Sequence, residues 1–521
     1  MKDYIVSINS GKVKGYERDG FIEYLGMPYA KPPVGKLRFK RSIPVDPWDG
    51  VFDAKEYGDV SVQFDEGKLI GSEDCLTINV QRPAGEGENL PVLVWIHGGG
   101  YNTGSASCPL TDGRCFAENG IVFVSLQYRL NVLGFYDFTT YPGCEDFDSN
   151  CGLSDQILAL KWVHDNIAAF GGDPENVTIM GESAGGASVV NMLACPSVKG
   201  YFRKAIAQSG LPNCVMTHET ARENISIFLE AMGWTEENMA EHLMNDDPFE
   251  FQKGNTAVAE KHQYRNPGMF LPGPIQDDLL PVRPIDAVRN GSAEGVKLII
   301  GSNMHEGTMF VHPEKTGFPN SWAMVAEMFE KNGHSPEIPE IISYYQPSAK
   351  DKFSKFKAGE EFSCDAIPDL KEEYRTEGGD PFIAFATDYA FQMPALKIAD
   401  AQKNFGDVWM YRFEFVSKSG EETGWKASHA FDLPCMFANT DFGFSHFLFD
   451  GEPEEVVNYM IDSMHRPWVN FVLTDEPDPE NWPRFTGYDS PVRIFDRVTH
   501  TEQLDRTDLM NVWKDMRFYE D

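Results

Sequence analysis

The stretch that most constrains this chain is Gly181-Glu182-Ser183-Ala184-Gly185-Gly186. It stands directly between an apolar run, NVTIM (176–180), and a segment of helical character, ASVVNMLA (187–194). A serine framed by glycines where a strand hands over to a helix fits a sharp turn. The backbone of such a turn is strained and its hydroxyl is exposed, and the glycines let strand and helix approach closely. The pattern occurs once in the chain. It predicts a buried strand entering the turn, a helix leaving it, and chemistry at Ser183.

The surroundings repeat that alternation. PVLVWI (91–96) and IVFVSLQY (121–128) read as core strands. In LSDQILALKWVHDNIAAF (153–170), Leu153, Ile157, Leu160, Val163 and Ile167 recur at helical spacing, and GGDP closes the segment. Strand character returns at VKLIIG (296–301), VWMYRFEF (408–415) and PVRIFD (491–496). Strands alternating with helices predict an α/β fold, with a large, mostly parallel twisted sheet covered by helices on both faces. Two polar, helical stretches, at about 212–290 and 320–400, read as cap insertions into that sheet. No linker rich in Pro, Gly and Ser divides the chain. Residues 1–521 are therefore read as one catalytic domain, although a prior of ~150 residues per domain would suggest several.

Lys and Arg number 45 against 80 Asp and Glu, a formal net charge of −35. Such a surface repels nucleic acid and anionic lipid; solubility or a salty habitat accounts for it. No apolar run approaches the ~18 residues of a membrane span. MKDYIVSINSGKVKGYERDGF has no apolar leader core, so the expectation is a cytoplasmic protein or one whose leader has been removed. There are nine cysteines. The pairs Cys108/Cys115 and Cys144/Cys151 lack a zinc-site spacing. The second brackets CEDFDSNC and could close a local disulfide, but free thiols are the preferred reading. No metal or organic cofactor is called for.

His97-Gly98-Gly99-Gly100 follows the strand 91–96. Ester cleavage builds negative charge on the carbonyl oxygen, and preorganised backbone N–H groups stabilise it; losing one typically costs about 10²–10³ in rate. The expected donors are Gly99, Gly100 and Ala184. A serine hydroxyl also needs a base, and twelve histidines are available. In open α/β sheets catalytic groups gather beyond the carboxyl ends of strands. Glu306, in GSNMHEGTMF, follows the strand 296–301, and His429, in GWKASHAFDLP, follows the strand 408–415. They also obey the order nucleophile, acid, histidine. His305 adjoins Glu306 and does not easily reach both that acid and the serine, while His312, His334, His446, His465 and His500 lack such a placement. Tyr101, Phe310 and Phe391 are candidates for the aromatic wall of a substrate pocket, and equally for core.

YLGMPYAKPPVGKLRF, SEDCLTINV, WIHGGGY, FGGDPENVTIMGESAGG, FRKAIAQSG, GSNMHEGT and TDYAFQMPAL add to these motifs. Together they resemble the type-B carboxylesterase/lipase family, the cholinesterase-like branch of the α/β-hydrolases, from about residue 5 to about 515. In form the chain is most similar to bacterial carboxylesterases of the para-nitrobenzyl-esterase kind. The resemblance implies an α/β-hydrolase fold and hydrolysis of a small-molecule ester, small to medium and neutral, through an acyl-enzyme. It implies the acid role for Glu306, the base role for His429, and a scaffold ion pair between Arg38 and Glu73. The chain also departs from the family. VQFDEGKLIGSEDC holds no tryptophan, and Cys75 has no cysteine upstream, which goes against choline esters and against secretion. Ala430 stands where a glycine often follows the family's histidine. Two other readings stay open: an adhesion-type member without catalysis, disfavoured by the complete residue set, and the same triad on amide, thioester or lactone bonds.

Overall fold

Runs of Val, Ile and Leu that are apolar on both faces suit strands covered by helices on both sides. The structure, a computed structural model, places such runs at the centre of one large sheet. It describes residues 4–65, 67–85, 87–261, 272–311, 318–319, 322–331, 338–346, 381–504 and 506–513.

The N-terminal strands are β1 (Tyr4–Ile8), β2 (Gly11–Arg18), β3 (Phe21–Pro28), β4 (Val51–Asp53), β5 (Gln63–Asp65), β6 (Lys68–Ile70) and β7 (Thr77–Pro83). Then come β8 (Leu90–Ile96), β9 (Val122–Leu126), β10 (Gly172–Glu182), β11 (Lys204–Gln208), β12 (Lys297–Asn303), β13 (Val408–Phe413), β14 (Val492–Phe495) and β15 (His500–Glu502). Spatial order is β1-β2-β3-β7-β9-β8-β10-β11-β12-β13-β14-β15, with β4 beside β2. Every neighbouring pair from β9 to β14 is parallel. The flanks are antiparallel apart from β4, which runs parallel to β2. β5 and β6 form a separate hairpin.

Side chains alternate across β8. Val92, Val94 and Ile96 pack on one face with helices Cys151–Asn166 and Ala184–Ala194. Leu93 and Trp95 pack on the other with helix Glu454–Thr474, through Met464, Trp468 and Phe471. Within 212–290, helices His218–Met232 and Phe251–Lys261 share a third apolar cluster with Phe39 and Phe138. The Arg38–Glu73 pair lies beneath it, with two contacts of 2.6 and 2.7 Å. The same guanidinium donates to the carbonyls of Leu243 and Asp246 and so holds this region to the N-terminal strands. Of 320–400, helices Trp322–Lys331 and Ile338–Tyr345 and the helical stretch from Pro381 to Gln402 are described. Residues 332–337 and 347–380, with His334, lie outside the described residues, as does His312. The eight described cysteines are unpaired, Cys108, Cys115, Cys144 and Cys151 among them. No helix among the described residues is long and apolar enough to cross a membrane.

At the end of β9, Arg129 is almost fully enclosed. It contacts Asp155 through Nε and Nη2, at 2.8 and 2.7 Å, and donates to the carbonyls of Lys40 and Cys151. Breaking one side of such a pair strands a charge in the interior. Arg129→Met is expected to lower stability by about 3–5 kcal/mol, read from the midpoint of urea denaturation. Arg129→Met with Asp155→Leu should recover most of the loss.

Candidate active site

Five parallel strands end on the same side of the sheet, and the segments that leave them build the site. β10 runs into Ser183, which has φ 59° and ψ −124° and opens helix Ala184–Ala194. This is the strained turn expected of the glycine-framed serine. The approach is tight: a methyl group on Gly185 would lie 2.0 Å from the Ile96 carbonyl oxygen, so no side chain fits there. β8 runs into His97–Gly100. A methyl group on Gly98 would lie 2.6 Å from the Glu182 carbonyl oxygen and 3.1 Å from Ser183 Cβ, so this loop runs against the serine. Gly99 and Gly100 have φ of 104° and 63°. The N–H groups of Gly99, Gly100 and Ala184 donate to no carbonyl or side chain among the described residues. Gln63, on the β5–β6 hairpin, braces the loop by exchanging hydrogen bonds with Gly104.

β12 delivers Glu306 and β13 leads to His429. Glu306 has no solvent exposure. Its Oε1 accepts from the Asn303 N–H at 2.6 Å and from the Ser209 hydroxyl at 2.5 Å. Its Oε2 lies 2.5 Å from His429 Nδ1. The two loops are tied directly, since the His305 N–H donates to the Ala427 carbonyl and Asn303 Nδ2 to the Ser428 carbonyl. Asp432 fastens the same loop by accepting from Gln208 and from the Tyr411 hydroxyl. Ala430 has φ 66°, a left-handed conformation that explains why glycine suits this position.

His429 Nε2 makes no hydrogen bond among the described residues. Glu182 Oε1 lies 3.2 Å from it. Burial alone would depress the His429 pKa, but Glu182 and Glu306 on either side outweigh burial and carry it up to about 9. Burial in turn pushes the Glu182 carboxyl up to about 8, against the pull of His429. The imidazole is walled by Phe310 and Phe391, with ring centroids at 5.3 and 5.0 Å.

Tyr101 lies elsewhere. It is fully buried, packs on Phe135, and its hydroxyl meets Ser188 and Asn191, which is a core placement. The other histidines have other partners. Burial holds His305 down at about 4. His465 Nδ1 meets the Met436 carbonyl, His500 lies beside Glu502, and His446 is in helix Gly443–Phe449. Asp388 accepts from Tyr345. Glu182, Ser209 and Asp432 escaped the sequence reading. Glu182 occupies the unconstrained position of the serine motif, and Ser209 follows β11, a strand that the apolar pattern did not reveal. Among the described residues no group of three or more His, Cys, Asp or Glu could hold a metal ion.

The carboxylesterase family pattern matches residues 2–513. The para-nitrobenzyl esterase of Bacillus subtilis (strain 168) is 35% identical over 499 residues, 93% of each chain. The phenmedipham hydrolase of Pseudarthrobacter oxydans is 30% identical over 519 residues, 94% of each. Among solved structures, a thermophilic para-nitrobenzyl esterase superposes with a TM-score of 0.82 at 32% identity, covering 98% of this chain and 99% of its own. The chain therefore belongs to the carboxylesterase family. Its fold is the α/β-hydrolase fold and its activity is the hydrolysis of carboxylic esters.

The position of Glu182 has a measurable consequence. A carboxylate this close favours the charged imidazole by roughly 1–3 pKa units, and a base must be neutral to act. Activity should therefore rise with pH along a limb that lies above 6.5, the ordinary value for histidine. Glu182→Gln should move that limb of the kcat/KM profile down by about one unit or more. An unmoved limb would separate His429 from the titrating group.

Proposed function

We propose that the chain hydrolyses small to medium neutral esters through an acyl-enzyme on Ser183. His429 acts as general base and then as general acid, and Glu306 orients it. The observation that carries this reading is the buried Glu306–His429 contact at 2.5 Å, with Nε2 left free beside the strained serine turn. The carboxylate fixes the tautomer and offsets the charge that the imidazole acquires. The unpartnered N–H groups of Gly99, Gly100 and Ala184 supply the oxyanion donors. After attack, the tetrahedral intermediate collapses, the alcohol leaves with the proton from His429, and water repeats the sequence on the acyl-enzyme.

The walls beside His429 support the reading of a neutral substrate. Phe310 beside His429, backed by the buried Phe391, offers apolar, uncharged surface to an acyl or alkyl group. The stretch 62–75, which forms the β5–β6 hairpin and its exit, offers no tryptophan face to a quaternary ammonium.

Ser183→Ala is expected to reduce para-nitrophenyl butyrate turnover by ~10⁴ or more with unchanged thermal unfolding. An organophosphonate should place one adduct, within 181–186, by mass spectrometry. Near-normal turnover in Glu306→Gln, or an adduct elsewhere, would overturn the assignment. A rate profile over acyl chain length and alcohol size defines the preferred ester.

A further inference from the structure

Behind His429 lies a second cavity that the catalytic groups do not use. Its volume is about 320 Å³. It lies between β12, β13, the helical stretch Pro381–Gln402 and helix Thr507–Trp513. The partition between this cavity and His429 is one turn of π-helix, Asp388–Gln392. Such turns are rare and often mark functional sites. Asp388 and Gln392 line the cavity, whereas Phe391 of the same turn faces the His429 ring at 5.0 Å. The preceding residue, Thr387, accepts a hydrogen bond from the Gly307 N–H, next to Glu306.

The cavity has two kinds of wall. Met304, Met393, Leu396 and Leu509 form an apolar side. Two arginines, Arg412 and Arg506, also line it. Arg412 is neutralised by Glu414. Arg506 is not: it donates to the Tyr488 carbonyl and meets no carboxylate among the described residues. Burial and the neighbouring Arg412 pull its pKa down to about 10, which still leaves it charged at neutral pH. The two acids of the lining do not answer it. Burial raises Asp388 to about 7, with Tyr345 donating to it, and Glu502 is exposed and lies beside His500. The Gln392 amide and the Ser302 hydroxyl also line the cavity without a protein partner among the described residues. A cation with no carboxylate, two polar groups with no partner among the described residues, and an apolar lining together describe a receptor for an anion with a short hydrocarbon tail.

We propose that this cavity binds an aliphatic monocarboxylate, with its carboxylate on Arg506 and its chain along Met393, Leu396 and Leu509. An ester hydrolase generates that class of molecule in every turnover, so its own acid product is a ligand of the right chemistry. This last point rests on the function proposed above; the binding site does not. Occupancy changes the packing on one side of the π-turn whose other side supports His429, so the ligand acts on turnover without entering the catalytic site.

The direct test is calorimetric titration of octanoate into the Ser183→Ala protein. One octanoate per chain is expected, with affinity reduced about tenfold or more in Ser183→Ala/Arg506→Met, as loss of a charged hydrogen bond implies. Arg506→Gln, which keeps a donor for the Tyr488 carbonyl, should show the same loss and guards against misfolding of the first variant. Octan-1-ol, which lacks the charge, should not compete. In the wild-type enzyme, octanoate should lower kcat for para-nitrophenyl acetate with KM unchanged, and it should lose this effect in Arg506→Met while basal turnover stays normal. No binding at millimolar octanoate, binding indifferent to both Arg506 variants, or purely competitive inhibition would overturn the proposal. Because the titration reads binding in a protein without Ser183, its failure is distinguishable from failure of the esterase mechanism.

Discussion

Glu306 carries a carboxylate into a place that water does not reach, and the rest of the site is arranged around satisfying it. An unpaired buried charge is costly, so it must collect hydrogen bonds from fixed donors. It collects one from the backbone of Asn303, one from Ser209 and one from His429. These donors belong to the ends of three successive stretches of chain, which follow β12, β11 and β13. Satisfying one carboxylate thereby fixes the register of three loops. Asp432 repeats the device a few ångströms away with Gln208 and Tyr411. Both acids draw on the end of β11, by way of Gln208 and Ser209. That strand matters to the site although it contributes no reacting atom.

The serine side is held by contact rather than by charge. Gly185 against Ile96 and Gly98 against Glu182 and Ser183 leave no room for a β-carbon, so the backbones of β8, β10 and the helix interlock. The strain at Ser183 persists because these contacts over-determine it. His429 is locked from three directions: Glu306 at Nδ1, two tilted phenyl rings beside it, and the Asp432 anchor behind its loop. Rigidity of this kind supplies orientation before substrate arrives.

Much of this arrangement was legible in the sequence. The central strands β8, β9, β10, β12 and β13 are apolar on both faces and declare themselves, and the serine motif fixes the junction of β10 with its helix. Chain order and strand ends led to Glu306 and His429. β11 hid because its ends are polar: Lys204 is buried only by virtue of the Val472 carbonyl and Asp475, and Gln208 by virtue of Asp432. Such compensation is long-range and leaves no periodic trace. The same reason concealed Ser209 and Asp432. Tyr101 illustrates the reverse error of ambiguity, since an aromatic next to an oxyanion loop fits pocket and core equally until packing decides. The π-turn at Asp388–Gln392 has no composition of its own that a helix would not share.

The three principal residues of the site come from widely spaced parts of the chain, with Glu306 and His429 alone 123 residues apart. A ribosome delivers them in the order serine, carboxylate, histidine, and a domain generally folds as a unit. A nascent chain that has released β8, β10 and β11 holds Ser183, yet it has neither Glu306 nor His429. Under the proposed mechanism, hydrolytic power is therefore acquired late in synthesis, once the loop after β13 has emerged to meet Glu306. Fragments interrupted before that point carry Ser183 without its proposed partners.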